Sequence, residues 1–190
     1  MLTEKFSDAV TLAAAAHATQ VRKGSGTPYI AHPLGVASLV LEFGGDEEQA
    51  IAGLLHDVIE DGGPEYVEPI RRQFGERVLS MVEACTDGVP DANGEKELWL
   101  PRKKRYLEHL AKCSGDAMLV SAADKLYNAR AILDDLRDPA VGVAVFDRFR
   151  ATKAETLWYY QALAAVFTDR ECSVARRLST AMEEIKRLAG

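Results

Sequence analysis

Cysteine is scarce in this sequence, which limits the kinds of site that the chain can build. Only three of its 190 residues are cysteines, Cys85, Cys113 and Cys172, and their odd number and wide spacing do not match zinc ribbons or redox motifs. Free cysteines usually behave as small buried hydrophobic residues, and we interpret these three in that way. A metal bound by this chain is therefore expected to have histidine and carboxylate ligands.

Long hydrophobic runs and a positive net charge are also missing. The longest apolar stretches, such as residues 13–16, are far shorter than the ~20 residues of a membrane span, and the first residues lack the basic and then apolar pattern of a signal peptide. We therefore expect a cytoplasmic protein without a membrane partner. A net charge of −6 and a pI near 5.3 also argue against a nucleic-acid partner, so the positive charge that a polyanionic substrate needs must be local.

Strand signals are absent, whereas helix signals are abundant. Alanine and leucine together supply 48 residues, and valine and isoleucine supply 21, a balance that favours helices over sheets. With 47% hydrophobic residues, the chain can bury a core of its own. We therefore predict an all-α helical bundle of about eight helices in a single domain, residues 1–190, with no room for a second full catalytic domain.

Glycine, proline and other turn-forming residues divide the helical pattern. Asp46 and Gln49 form a capping-box signature at the start of the third helix. Residues 87–94 consist of turn-forming residues, so we expect a mobile loop there, and Trp99 beyond it fits either a lid or the core. Helices are predicted at residues 4–20, 33–43, 46–60, 64–74, 76–85, 96–112, 116–137, 143–168 and 172–189.

The third predicted helix carries charge where a buried helix should not. Its apolar residues fall on every side, which is typical of a buried helix. Because residues i and i+4 share a face, His56 is expected beside Glu60, and Asp57 beside Asp61. Three carboxylates near the negative end of a helix dipole repel one another, and a bound cation would remove that conflict. The structural alternative is a hydrogen-bonded core histidine, an Asp57–lysine pair, and two acidic residues that leave the helix into solvent.

Two further segments offer ligands of the same kind. His32 precedes Pro33 at a helix start, and Asp124 is an isolated carboxylate in the largely apolar helix at residues 116–137, with Asn128 one turn later on the same face. A surface histidine and a structural salt bridge are the respective alternatives. With the His-Asp pair of the third helix, two imidazoles and two carboxylates form a mixed nitrogen and oxygen set suited to Mn, Fe or Zn.

The order of these segments resembles that of a known family. The motifs are, in chain order, TPYIAHP at residues 27–33 after Arg22 and Lys23, LLHDVIED at residues 54–61 and ADKLYNAR at residues 123–130. The set closely resembles the HD phosphohydrolase superfamily, and within it the hydrolase domain of the RelA/SpoT alarmone family, above all its stand-alone Mesh-type small alarmone hydrolases. The expected metal and catalytic core spans residues 17–130, and the predicted helices of residues 143–189 follow in a similar order.

The resemblance implies an activity and a metal centre. The implied reaction is removal of the 3′-pyrophosphate of guanosine alarmones, which converts ppGpp to GDP and pyrophosphate. Longer relatives append a synthetase after this domain, so we expect this chain only to degrade alarmones. The usual ion of the family is Mn²⁺, with Fe or Zn as alternatives for the single ion. By resemblance, the metal ligands are His32, His56, Asp57 and Asp124.

The resemblance also implies roles for other residues of the site. Glu60 and Asp61 match an acidic pair that positions the attacking water and assists proton transfer. Tyr29 and Tyr127 could either pack near the site or stack on a nucleobase. The expected substrate-binding residues are the basic pair Arg22 and Lys23, the residue Ser25 of a glycine-rich turn whose backbone N–H groups can approach an anion, and Asn128.

Some features depart from the family and leave the substrate open. The loop at residues 23–27 is one residue longer than in the bifunctional bacterial enzymes, and Ala129 stands where relatives usually carry leucine. The alternative substrates are therefore ppApp, the 2′-phosphate of NADPH or another nucleotide, and a non-catalytic alarmone-binding protein is the alternative from another class. The basic run at residues 102–105 is either a solvated helix face or a second phosphate contact. Whether the chain forms a homo-oligomer also stays open.

Overall fold

The fold is built from helices, as the sequence predicts. The computed structural model describes residues 1–88 and 97–190, so most of the loop expected to be mobile lies outside the described residues. Within these two ranges there is no strand, and one isolated bridge pairs Val21 with Pro28. The α helices of the described part are α1 (Glu4–Ala16), α2 (Ala31–Glu42), α3 (Glu47–Leu55), α4 (Val58–Gly62), α5 (Val67–Phe74), α6 (Glu76–Cys85), α7 (Trp99–Leu110), α8 (Gly115–Arg137), α9 (Lys153–Asp169) and α10 (Ala175–Ala189). Short 3-10 helices occupy Pro64–Tyr66 and Gly142–Arg148.

Helix α8 lies at the centre of the bundle because its small residues let other helices approach it. Ala122, Ala123 and Ala129 have no exposed surface, and α8 packs against α2, α3, α6 and α10. The crossing of α2 and α3 is also close, since a Cβ added at Gly53 would lie 3.2 Å from Cα of Ala37. This packing brings together the first turn of α2, the end of α3 and the middle of α8.

The predicted helix at residues 46–60 is divided in two, which corrects that prediction. The imidazole Nδ1 of His56 lies 2.8 Å from the carbonyl oxygen of Gly53. In a continuous α helix that carbonyl would accept the amide of Asp57. Because the imidazole competes for this acceptor, α3 ends and α4 begins on either side of a turn that contains His56 and Asp57.

The predicted helix at residues 143–168 is also wrong in its first part. Residues 142–148 form a 3-10 helix, and α9 begins only after its N-cap, Thr152. The amide of Glu155 donates to the Thr152 hydroxyl over 3.2 Å, and the Glu155 carboxylate accepts the Thr152 amide over 2.8 Å. A threonine followed three residues later by glutamate is a capping box, so the sequence does carry a signal for the true helix start.

Other local predictions agree with the structure. The capping box of Asp46 and Gln49 is present at the start of α3, and the cysteines are free, two of them buried and one half-buried. Trp99 packs against the core, with its ring centre 5.8 Å from that of Tyr159. None of the helices in the described ranges is long and apolar enough to span a bilayer.

Candidate active site

Four predicted ligands lie together where α2, α8 and the turn between α3 and α4 meet. The Nε2 atoms of His32 and His56 are 3.1 Å apart. Oδ1 of Asp124 lies 3.2 Å from Nε2 of His32 and 3.7 Å from that of His56. Oδ2 of Asp57 lies 3.5 and 3.1 Å from the same two nitrogens. His32, His56 and Asp124 each offer one atom to a group whose atoms all lie within 4.8 Å of one another, a spacing that could hold a metal ion.

Both histidines are buried and held by their surroundings. His56 is 2% exposed, and its Nδ1 bonds the Gly53 carbonyl, which leaves Nε2 facing the cluster. His32 is 1% exposed. The aromatic rings of Tyr29 and Tyr127 meet its imidazole edge-on, with ring centres 5.7 and 5.1 Å away. The two imidazoles are therefore restrained before any ligand binds.

Hydrogen bonds orient the two carboxylates as well. The Tyr29 hydroxyl donates to Oδ2 of Asp57 over 2.7 Å. Burial and the adjacent Asp57 charge raise the pKa of Tyr29, so it keeps the proton that it donates. Nδ2 of Asn128 donates to Oδ1 of Asp124 over 2.6 Å, and the ammonium group of Lys125 contacts Oδ2 of Asp124. Asp57 thus has one oxygen bonded to a named donor, and Asp124 has both of its oxygens engaged.

The electrostatics of the cluster favour a bound cation. Burial on its own would lower the pKa of His56, but the adjacent Asp57 and Asp124 raise it well above its ordinary value. Burial would raise the pKa values of the two carboxyls, but His56 beside Asp57 and Lys125 beside Asp124 hold them well below their ordinary range. The two carboxylates therefore favour positive charge at the position of His56, and a divalent ion would supply such charge. Two imidazoles with carboxylates are a donor set that fits Mn, Fe or Zn.

A cavity of about 550 Å³ adjoins the cluster. Tyr29 and Asn128, which donate hydrogen bonds to the two aspartates of the cluster, also line the cavity wall. Arg22 donates to Oδ1 of Asn128 over 3.0 Å, and its guanidinium carbon lies 5.9 Å from the ring centres of Tyr29 and Tyr127. Asn128 therefore connects the Asp124 carboxylate to a cationic side chain of the cavity. The charged and amide side chains in the cavity wall are Gln20, Arg22, Lys23, Asp61, Asn128, Asp135 and Arg148.

Two of the six predicted catalytic and substrate-binding residues, Ser25 and Glu60, do not line the cavity. Ser25 donates to the Thr27 hydroxyl over 3.0 Å and accepts the Thr27 amide over 3.3 Å, so its hydroxyl closes the turn. The Glu60 carboxylate accepts the backbone N–H of Asp87 over 3.1 Å. Its neighbour Asp61, in contrast, lines the cavity. Of the predicted acidic pair, Asp61 therefore lines the cavity and Glu60 does not.

The first half of the basic run at residues 102–105 is neither solvated nor in the cavity wall. Arg102 donates to Oδ2 of Asp87 over 2.6 Å, and the Lys103 ammonium contacts the same oxygen. The side chains of Arg102 and Lys103 are 12% and 15% exposed, and the Lys103 ammonium lies 4.8 Å from the ring centre of Tyr159. Both cations therefore neutralise a buried carboxylate.

Sequence reasoning missed part of the cavity wall. Arg148 donates to Oδ2 of Asp135 over 2.6 Å, and its side chain lies so close to Gly24 that an added Cβ would be 2.3 Å from Nε of Arg148. Phe149 and Tyr160 supply aromatic surface to the same wall. No motif marks these residues, and most of them fall in a segment whose helical periodicity predicts a single long helix.

The fold and the cluster define an all-α protein with a buried histidine and aspartate site for a divalent metal. Residues 9–165 match the HD domain family, and the chain belongs to this family. The guanosine-3′,5′-bis(diphosphate) 3′-pyrophosphohydrolase MESH1 of Xenopus tropicalis is 43% identical over 126 residues, which cover 65% of this chain and 66% of that protein. Human MESH1 is 39% identical over 126 residues with the same coverage, so the chain spans just under two thirds of either relative. A solved structure of a metazoan ortholog of SpoT that hydrolyses ppGpp has a TM-score of 0.70 and 27% identity, covering 100% of this chain and 98% of that one.

Proposed function

We propose that this chain is a metal-dependent hydrolase that removes the 3′-pyrophosphate of guanosine alarmones and converts ppGpp to GDP and pyrophosphate. The observation that carries the proposal is a buried histidine and aspartate cluster beside a cavity with three cationic side chains, Arg22, Lys23 and Arg148. Such a cavity places positive charge for phosphates next to a site suited to activating water. The names of the frog and human relatives support the same substrate.

One divalent ion, for which we expect Mn²⁺ rather than Fe or Zn, is held in this proposal by His32, His56, Asp57 and Asp124. When bound, such an ion lowers the pKa of a water ligand and withdraws charge from a phosphoryl oxygen. The chain's own part is to orient the ligands. The Gly53 carbonyl directs Nε2 of His56 to the cluster, and Tyr29 and Asn128 each hold one aspartate by a hydrogen bond.

The remaining residues are assigned to the water and the substrate. Asp61 and Glu60 are proposed to position the attacking water and to move its proton, with Asp61 nearer to the substrate because it lines the cavity. Arg22 and Lys23 are proposed to bind the phosphates of the substrate, and Asn128 is proposed to contact its nucleotide. The backbone N–H groups of the turn that contains Ser25 are proposed to bind an anion.

The activity is tested with purified protein, Mn²⁺ and ppGpp. The wild type should produce GDP and pyrophosphate, and His56→Ala and Asp124→Ala should reduce turnover to the background rate because each removes a proposed ligand. His109→Ala removes an exposed histidine at the end of α7 and should keep the wild-type rate. A wild-type protein that binds Mn²⁺ but does not hydrolyse ppGpp would refute the proposed substrate.

An adenine alarmone or the 2′-phosphate of NADPH is the second candidate substrate. Val21 and Phe149, which are 60% and 40% exposed, present apolar surface in the cavity wall, and such surface can pack against any purine. Ala129, in contrast, is completely buried and does not line the cavity, so its difference from the family does not reach a bound base directly. Values of kcat/KM for ppGpp, ppApp and NADPH decide between these substrates, and tight ppGpp binding without turnover would indicate a non-catalytic binding protein.

Location and assembly remain predictions. The cytoplasmic location that the sequence favours is tested by cell fractionation, and a homo-oligomer by light scattering of the purified protein. Neither outcome changes the proposed chemistry, because every proposed ligand comes from one chain.

A further inference from the structure

We propose that Lys125 is a positioning residue that restricts Asp124 to a single metal-facing oxygen. The inference rests on the proposed metal site, and it concerns a side chain to which the proposed reaction gives no other task. Lys125 follows Asp124 on α8, and its ammonium group contacts Oδ2 of that carboxylate. The two side chains are only 12% and 8% exposed, so water competes little for the ion pair.

The two oxygens of Asp124 have different surroundings. Oδ1 lies 3.2 and 3.7 Å from the Nε2 atoms of His32 and His56, and it accepts Nδ2 of Asn128 over 2.6 Å. Oδ2 is engaged by Lys125. The terminal torsion of an aspartate is broad and nearly two-fold, so a carboxylate without such partners turns easily. The Lys125 contact, together with the Asn128 hydrogen bond to the other oxygen, therefore keeps Oδ1 towards the imidazoles and Oδ2 towards the ammonium group.

Lys125 is itself held in place by an aromatic ring. Its ammonium group lies 5.1 Å from the ring centre of Tyr106, within the range of a cation–π contact. Tyr106 is 4% exposed, and its hydroxyl shares a hydrogen bond of 2.9 Å with Ser121 on α8. An ammonium group between a carboxylate and a fixed ring has few other positions, which suits a positioning role.

The consequence is a metal site with coordination positions left for water and substrate. Because Oδ2 is engaged, Asp124 offers an ion one oxygen. Without Lys125, both oxygens become available and a positive charge beside the site is lost. Both changes strengthen metal binding, while the second oxygen takes a position that water would use. Lys125 therefore lowers metal affinity and keeps the site open.

The test compares Mn²⁺ binding by the wild type and by Lys125→Met. By calorimetry, the Kd of Lys125→Met for Mn²⁺ should be lower by about threefold or more, because a like charge is removed. Water-proton relaxation should report fewer exchanging waters on its bound Mn²⁺, and ppGpp hydrolysis should fall by about 10- to 100-fold. Lys125→Arg, which keeps the charge, should restore the wild-type relaxation signal. Lys186→Met removes an exposed lysine of α10 and should change none of these quantities.

Either a weaker Mn²⁺ affinity or an unchanged number of exchanging waters in Lys125→Met would overturn the inference. If Lys125→Met does not fold, Lys125→Gln removes the same charge, and the same two results decide. Failure of the proposed substrate is distinguishable, because the metal-binding differences would then persist in a protein that does not hydrolyse ppGpp. A wild-type protein that binds no Mn²⁺ would overturn both the metal site and the role of Lys125.

Discussion

The contact between α2 and α8 beside His32 gives a prediction in which helix propensity and packing disagree in sign. Gly35 lies inside α2, where a change to alanine would by propensity alone stabilise the protein by up to ~1 kcal/mol. A Cβ added at Gly35, however, would lie 1.9 Å from Cε2 and 2.5 Å from Cδ2 of Tyr127. Since carbon atoms in contact are about 3.5–4 Å apart, the ring must move by roughly 1.5–2 Å.

Tyr127 cannot move that far without losing other contacts. Its hydroxyl donates to the carbonyl oxygen of Ala31 over 3.3 Å. Its ring centre lies 5.1 Å from that of the His32 imidazole and 5.9 Å from the guanidinium carbon of Arg22. Overpacking of this kind costs about 1–3 kcal/mol. Because the ring must move so far, the cost falls in the upper part of this range, about 2–3 kcal/mol. After a gain in propensity of ~1 kcal/mol is subtracted, Gly35→Ala should lower the free energy of unfolding by about 1–2 kcal/mol and the Tm by about 2–8 °C.

Calorimetry of Gly35→Ala against a matched glycine variant measures this effect. Gly115 is the first residue of α8, and no atom lies within 4 Å of a Cβ added there, so Gly115→Ala should be neutral or stabilising. Mn²⁺ binding should also weaken in Gly35→Ala, because Tyr127 restrains His32. A Gly35→Ala protein as stable as the wild type would refute the packing argument.

Two further predictions concern ionic contacts away from the cavity. Arg77→Met removes a guanidinium shared by three carboxylates, so urea denaturation should show a loss of about 1 kcal/mol that shrinks at high salt. Burial alone would raise the pKa of Asp46, but an N-cap hydrogen bond and Arg77 hold that pKa below its ordinary value. The stabilisation of the protein by ionised Asp46 is therefore present above about pH 4 and is lost as pH falls through the lower folded pKa. Arg77→Met should flatten this pH dependence. Asp87→Asn leaves two largely buried cations without their shared carboxylate and should lower the free energy of unfolding by about 2–4 kcal/mol. Lys104→Met, which changes an exposed lysine, should alter that free energy by less than ~0.5 kcal/mol. Equal effects of the two substitutions would contradict the conclusion that the two cations neutralise Asp87.

The cluster of proposed ligands is predictable from sequence because its residues break local rules. His56 and Asp57 end an apolar segment, and Asp124 is isolated in another, so each needs compensation once it is buried. The break between α3 and α4 has no such signal. No proline lies near it, and the break depends on an imidazole that reaches the Gly53 carbonyl, a contact that hydrophobic periodicity does not contain.

The cavity wall is harder to predict for a different reason. Arg148 and Phe149 reach the cavity because a 3-10 helix, rather than the predicted α helix, precedes α9. The start of α9 could be predicted from sequence, since Thr152 and Glu155 form a capping-box signature there. The contact of Arg148 with Asp135 and with the turn at Gly24 joins distant segments, and only tertiary packing determines it.

Helix α8 is both the centre of the core and the centre of the site, and the two roles have one cause. Its completely buried alanines let α2 and α3 approach closely enough for His32 of α2 and His56 of the turn after α3 to reach Asp124. On the same helix, Lys125 contacts one oxygen of that carboxylate and Asn128 donates a hydrogen bond to the other. Asn128 in turn accepts a hydrogen bond from Arg22 of the cavity wall. A larger residue at a buried alanine of α8 would therefore displace the proposed ligands and Arg22 together, so losses of stability and of metal affinity should be correlated along this helix.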